Sequence, residues 1–431
     1  MTRRWALASG ALATLSLAAC QSDSLNQVGP NGSSSFDRYV AIGTSVSMGT
    51  QSDGVIYFTQ VNSWPAQLAR AAMNSFTQPL ISSNPVGNGV GCPAPLIAPL
   101  QLNRRFSGQA ATIPTADLAS CSPLFGNITL PTNNVAIDGA RAYTALYFTP
   151  DSAAASPKDS IAANRVTSRG NGAIYARVLP AGRTQVTAAT SQNPTLVSVE
   201  LGANELLGTS SGIIIPSTNG RTGTLVPLAV FQPIYDKIID SVKATGAKAV
   251  LVAPGIPDIG VFPLFRKGSE IAADAPTLLA AFKVAVAADC NTTNANNLIA
   301  LPKLIGTISA AAASPTPIPF TCADTPLAAD GVLTPADQAL ITQTQADITA
   351  YIKTKATQNG YAYAELGTLY NTAKSGAQAT FSSLTLLGAT SPYGPNISLD
   401  GVHPTAAGQR IIARAVATAL NTQYGFNIQV P

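Results

Sequence analysis

Arg38-Tyr39-Val40-Ala41-Ile42-Gly43-Thr44-Ser45-Val46-Ser47-Met48-Gly49 is the stretch on which the reading of this chain turns. Its first half, Arg38 to Ile42, is a short apolar run of the length and β-branched character expected of a buried strand. It stops at a glycine, and a second glycine follows six residues on. Glycines bracketing serines at the carboxyl end of a strand permit a sharp turn, one that exposes a hydroxyl and aims backbone N–H groups at a single point. Ser45 sits at the tightest part of that turn, and Ser47 is the alternative hydroxyl two residues later.

Four further runs repeat the pattern: Asn134 to Ile137, Leu196 to Leu201, Ala249 to Ala253 and Ala362 to Leu366. Between them lie segments with helical spacing. Pro65 opens one that carries Leu68, Ala69, Ala72 and Met73. Another runs from about Val226 to Thr245, with Ile234, Ile238 and Val242 four apart and Gly246 as its stop. Thr334-Pro335-Ala336-Asp337 predicts an N-cap, a proline at the first helical position and an acid in the first turn, with Ile341, Ile348 and Ile352 on one face. A last helix is predicted from about Thr405 to Leu420. Strands alternating with helices imply a doubly wound α/β sheet, with functional groups beyond the carboxyl ends of the strands. Glu200 stands out, because a carboxylate inside a buried strand requires a partner.

Two stretches break the rhythm, about 79–131 and about 263–331, and both read as insertions. They hold Cys92, Cys121, Cys290 and Cys322. Four cysteines allow three pairings. Sequential pairing is the simplest, since separations of 121 − 92 = 29 and 322 − 290 = 32 would each staple one local excursion. Loops of that size are worth roughly 3–4 kcal/mol each in the chain-entropy model. The absence of Cys-x-x-Cys argues against a redox motif or metal knuckle.

The remaining cysteine, Cys20, ends the sequence Leu17-Ala18-Ala19-Cys20, which follows a short basic segment and an apolar stretch from Ala6 to Leu17. That stretch is shorter than the ~18–20 apolar residues a membrane-spanning helix needs. It resembles a bacterial lipoprotein signal, which implies cleavage before Cys20 and a lipid on its sulfur. The division expected is a signal peptide over 1–19, a flexible Ser/Asn/Gly/Gln-rich tether over 20–36 and one folded domain over 37–431. An anchored protein of the bacterial cell envelope, on its periplasmic or outer-membrane face, would follow.

Composition narrows the chemistry. The 431 residues carry 25 Lys+Arg against 21 Asp+Glu, a net charge of +4 that falls to +2 if Arg3 and Arg4 leave with the signal. That field is too weak for nucleic-acid binding. Only 11% of residues are charged, against about 25% in a typical soluble domain, so Ser, Thr, Asn and Gln must supply the polar surface. A single histidine excludes zinc sites built on several imidazoles, and no metal or organic cofactor is expected. That histidine lies in Asp400-Gly401-Val402-His403-Pro404, just before the last predicted helix. Any mechanism using imidazole as a base must use His403. The offset of three residues lets a turn return the Asp400 carboxylate to Nδ1, which frees Nε2 to take a proton. At two other strand ends stand Asp138-Gly139-Ala140 and Gly202-Ala203-Asn204-Glu205. A glycine N–H and an asparagine amide at adjacent strand ends suit an oxyanion hole.

The order of these blocks, Ser45, Gly139, Asn204, then Asp400 and His403, resembles the SGNH (GDSL-like) hydrolase family over about Tyr39 to Phe426. Asp-Gly-Val-His-Pro is the most specific motif. Val252-Ala253-Pro254-Gly255-Ile256-Pro257-Asp258 is similar to the family's segment between the third and last blocks. The resemblance implies a three-layer α/β/α sandwich with a five-stranded parallel sheet, flavodoxin-like, and a serine hydrolase. In it Ser45 is the nucleophile, with His403 and Asp400 completing the triad. The Ser45 N–H, the Gly139 N–H and the Asn204 side chain form the oxyanion hole. Two positions depart from the family pattern: Thr44 replaces the aspartate of Gly-Asp-Ser, and Glu205 replaces the aspartate of Asn-Asp. An esterase or lipase acting on small-molecule or lipid esters is the first expectation, favoured over a carbohydrate O-deacetylase acting on acetylated glycans because only 6% of residues are aromatic. A surface-binding lipoprotein without turnover is the reading from another class, and Thr44 and Glu205 speak for it.

Overall fold

A computed structural model describes residues 34–82, 92–97, 104–105, 121–126, 128–155, 171–255, 258–326, 328–367, 370 and 390–431. Cys20, the signal and most of the tether lie outside these residues. The central sheet has four parallel strands, Tyr39–Ile42, Leu196–Val199, Ala249–Val252 and Ala362–Tyr363, hydrogen-bonded in that spatial order. Tyr39 pairs with Leu196, Leu196 with Ala249, and Leu251 with Ala362. Every residue of the first three strands is buried. That is why they read as apolar runs rather than alternating ones, Ser198 alone excepted, whose hydroxyl meets that of Tyr39: helices cover both faces of the sheet.

The fifth expected strand is an extended segment rather than a regular one. Residues 133–137 run parallel to the Tyr39 strand, through Ala41 N–H to Asn133 O, Val135 N–H to Ala41 O and Ile137 N–H to Gly43 O. The first two of these bonds close one bridge, Ala41 with Asn134. On the outer edge Asn134 Oδ1 accepts the Ala136 N–H. Counting this segment, the order across the sheet is second, first, third, fourth, fifth in the chain. The order reverses between the Tyr39 and Leu196 strands, and the carboxyl ends of these two define the crevice in which such folds place their sites.

The Trp64–Ala71 and Ala406–Tyr424 helices pack together on one face. The Ala142–Tyr147, Gln185–Thr190, Leu228–Ala244 and Pro335–Asn359 helices form the opposite layer. Thr334 caps the Pro335–Asn359 helix as its sequence predicts, with Oγ1 accepting the Asp337 N–H, and Ile341, Ile348 and Ile352 are fully buried. Met73 departs from its expected place: it lies past the end of its helix, left-handed at φ 54° and exposed. At the amino end Phe36 packs edge-on against Tyr39 and Phe426.

The 263–331 insertion builds structure of its own. Phe265–Lys267, Leu298–Ala300 and Val332–Leu333 form an antiparallel three-stranded sheet, and Val284–Val286 pairs with Ile318–Phe320. The Leu301–Ala312 helix continues directly from the middle strand. Both sequential disulfides are present, Cys92–Cys121 and Cys290–Cys322.

Candidate active site

The Tyr39 strand runs into Gly43, where a side chain is sterically excluded: a Cβ there would stand 2.5 Å from Ser47 Oγ. The chain then turns into the short Ser45–Met48 helix, capped by Thr44 and closed by left-handed Gly49 at φ 90°. Ser45 is 3% exposed, and among the described residues its N–H meets no acceptor. Its Oγ lies 2.9 Å from His403 Nε2, and His403 Nδ1 lies 2.7 Å from Asp400 Oδ2. Residues 358 apart in the chain are thus brought into hydrogen-bonding range. Ser47 is elsewhere engaged, its hydroxyl donating to Glu200 Oε2 at 3.0 Å.

Asp400 is held from several directions. Oδ1 accepts the Val402 and His403 N–H groups at 2.9 and 2.8 Å, and the Ser398 hydroxyl. Oδ2 accepts the Asp53 N–H at 2.6 Å as well as the imidazole. Burial alone would raise the Asp400 pKa, but the neighbouring His403 and these hydrogen bonds outweigh it and hold the carboxyl below the usual range. An ionised Asp400 accepts only, so Nδ1 carries the imidazole proton and Nε2 is left to accept from Ser45.

The Asp53 contact comes from a turn that the sequence analysis did not weigh. Gln51 and Gly54 exchange both backbone hydrogen bonds across Ser52 and Asp53, whose φ values are 50° and 61°. Two left-handed residues in a two-residue hairpin loop make a type I′ turn, normally built from Asn and Gly. Here it carries Ser and Asp, at a cost of roughly 1–2 kcal/mol per left-handed residue. In return Ser52 binds the other loop twice: its N–H reaches Ser398 Oγ, and its hydroxyl accepts the Leu399 N–H. Asp-Gly at 53–54 stands one residue late for this turn, so the sequence carries no signal for it.

Glu200 finds its partners on the nucleophile turn. It follows the Leu196–Val199 strand, is fully buried, and accepts from Thr44 N–H, Thr44 Oγ1, Ser47 N–H and Ser47 Oγ. A carboxylate does stand against this turn, but it arrives from the neighbouring strand instead of from position 44. Burial pushes its pKa up to about 7 against the pull of those donors. The second departure, Glu205, is tied across to the next block: Oε1 accepts the Ala142 N–H at 2.7 Å, and burial raises this carboxyl too. Arg141 Nε donates to Asn204 O, and Asn204 Nδ2 donates to Ala140 O. An amide nitrogen has two protons, so one is committed to fixing Asn204 and one is left over.

Gly139 follows the extended 133–137 segment at φ 74°, a left-handed position that favours glycine, in a turn closed by Ala140 N–H to Ile137 O. Gly139 and Asn204 therefore stand at strand ends flanking Ser45 on the same rim of the sheet. Asp138 beside it was also unweighed. Burial raises its carboxyl and Asp400 adds to the rise, while His403 and a hydrogen bond from the Gly139 N–H pull the other way. Finally, Gln409 ties the last helix to this rim, Nε2 donating to Val46 O and Oε1 accepting the Trp64 N–H.

A cavity of about 530 Å³ opens against His403, Asp400 and Asp53. Its walls are largely apolar and come from both insertions, Leu96 and Ile97 from the first and Leu264, Phe265, Leu301 and Ile305 from the second, with Phe262 and Tyr393 beside them.

The sequence model for GDSL-like Lipase/Acylhydrolase matches residues 39–416. No curated protein sequence matches the chain. Among solved structures, it is similar at 11% identity to a catalytic mutant of the acetylxylan esterase Axe2 from Geobacillus stearothermophilus, covering 91% of this chain and 95% of that one at a TM-score of 0.34. It is similar at 14% identity to an extracellular lipase from Streptomyces rimosus, covering 90% and 99% at a TM-score of 0.33. With the family's sequence pattern spanning nearly the whole folded chain, the protein belongs to the GDSL-like lipase/acylhydrolase family and is an ester hydrolase.

Proposed function

We propose that the protein cleaves carboxylic esters through a Ser45–His403–Asp400 acyl-enzyme mechanism at the bacterial cell envelope. The observation that carries the mechanism is the unbroken line of hydrogen bonds from Ser45 Oγ through the imidazole to Asp400. His403 Nε2 takes the Ser45 proton as Oγ attacks the ester carbonyl carbon. The developing oxyanion is met by the Ser45 N–H and the uncommitted Asn204 amide proton, and by the Gly139 N–H as it turns from the Asp138 carboxyl it otherwise meets. The carbon–oxygen bond to the alcohol breaks, and the alcohol leaves with the proton from Nε2. Water, deprotonated by the same nitrogen, then releases the acid and restores Ser45. Asp400 stays ionised and steadies the imidazolium.

A fluorophosphonate probe tests this: it should label Ser45 in the wild type, and p-nitrophenyl acetate should be hydrolysed. A protein that keeps the fold only to bind would do neither. Envelope attachment rests on Leu17-Ala18-Ala19-Cys20, with the lipid on Cys20. Labelled palmitate should enter the wild type and not Cys20→Ala; equal labelling of the two would refute the anchor.

A further inference from the structure

We propose that the cavity beside His403 holds the hydrocarbon chain of the substrate, so that the preferred class is an ester with a medium or long aliphatic chain rather than an acetylated glycan. The inference rests on the hydrolytic reading above and deepens it.

The second insertion is hooked to the catalytic loop by backbone. Leu264 N–H donates to Gly401 O, and Leu264 O in turn accepts the Leu301 N–H. The Leu301–Ala312 helix therefore starts two hydrogen bonds away from the His403 loop. Leu301, Leu304, Ile308 and Ala311 are buried. One face lines the cavity: Leu301, Pro302, Ile305, Gly306 and Ser309. At 1.5 Å per residue the stripe from Leu301 to Ser309 is about 12 Å long. Two acetyl carbons cannot occupy such a wall, whereas an extended alkyl chain lies along it.

The chemistry of the lining agrees. The charged groups stand at one end, Asp53 and Asp400 beside His403, and the walls are mostly apolar, aliphatic side chains with the rings of Phe262 and Phe265, broken by the hydroxyls of Ser210, Ser309 and Tyr393. Sites of this kind fix the reacting end with a few polar groups and hold the rest by apolar contact. Two serines and a tyrosine cannot partner the many hydroxyls of a glycan, most of which would face carbon. Gly306 is the second observation. Helix interiors disfavour glycine, yet one sits mid-stripe, and a Cβ there would meet nothing within 4 Å. The helix is bare where a chain would cross it.

The test uses the full-length protein and p-nitrophenyl esters from acetate through butyrate, octanoate and decanoate to hexadecanoate, with acetylated xylan alongside. kcat/KM should rise about fourfold per added methylene until the chain outruns the stripe. Alkyl acetates of increasing alcohol length form the second arm, since a chain on the alcohol side would give its rise there. A Gly306→Trp variant fills the open space, and its octanoate-to-acetate ratio should fall more than tenfold. Gly306→Leu, a smaller filling, should give a lesser fall if the tryptophan variant does not fold. The proposal is overturned if acetate and acetylated xylan are turned over at least as fast as every longer ester in both series, or if a folded Gly306→Trp keeps the wild-type ratio. In those cases Ser45 would still be labelled by fluorophosphonate and the hydrolytic reading would stand. Absence of both labelling and turnover would remove that reading, and this one with it.

Discussion

The rim of the central sheet and the 263–331 insertion are both buried neighbours of His403, and they are built on opposite principles. The rim is polar and saturated with hydrogen bonds. Asp400 accepts from Asp53, Val402, Ser398 and His403, and Glu200 accepts four times from the Ser45 turn. The insertion presents aliphatic carbon to the same space and is secured by Cys290–Cys322 and its own small sheet. Groups that move protons need fixed direction, which hydrogen bonds supply; a wall for a hydrocarbon needs only shape and dryness. Rim changes should therefore act on rate and insertion changes on selectivity, and the difference can be broken experimentally.

The largest effect belongs to the rim. Ser45→Ala and His403→Ala should each lower kcat by at least about 10⁴-fold, with thermal unfolding unchanged. A variant retaining full activity would end the division. Next comes Asn204→Ala, which would remove one donor of the proposed oxyanion hole and should cost about 2.7–4 kcal/mol of transition-state stabilisation, or roughly 10²–10³ in kcat. Because the same side chain also donates to Ala140 O, unfolding should be measured beside the kinetics. The insertion is tested by Cys290→Ser with Cys322→Ser. Losing closure of a loop spanning 32 positions should cost about 3–4 kcal/mol of stability. Turnover of octanoate should suffer more than that of acetate; an equal loss of both would mean that the insertion also orders the rim.

The smallest effect separates two carboxylates of the rim by pH. Glu200 ionises near 4.5 when unfolded and near 7 when buried. Between those values the folded state holds the extra proton, so its penalty is absent below about pH 4.5, grows as pH rises and is complete above about 7. At 1.36 kcal/mol per unit it reaches no more than about 3 kcal/mol. Denaturant unfolding of the wild type should therefore gain on Glu200→Gln as pH falls from 7 to 4.5, and a flat difference would contradict the buried-acid assignment. Asp400 works in the other direction. Its folded pKa is held down, so its contribution is present above the ordinary carboxylate range and lost as pH falls below it.

Much of this was legible in the chain. Apolar runs marked the parallel strands because such strands are covered on both sides, and Thr334-Pro335 marked a helix start because capping is local chemistry. The single histidine, three residues after an aspartate, fixed the only possible imidazole base. The extended 133–137 segment reads as a strand but lacks regular pairing, because that pairing is made with Ala41 and Gly43 far back in the chain, which its apolar pattern does not show. Glu200 looked anomalous for the same reason: its four partners belong to residues more than 150 positions away. The type I′ turn at Ser52 and Asp53 was equally hidden, because its residues pay for left-handed backbone through contacts with Ser398, Leu399 and Asp400.

The kinds of group available, and the order in which strands carry them, were already written in the chain, since periodicity, caps and turns are set by neighbours along it. Tertiary structure alone decided which hydroxyl faces His403, where the missing carboxylate comes from and how two distant insertions enclose one apolar cavity. Those outcomes depend on distances between residues far apart in the chain, and only the packed sheet and its two helical layers set such distances.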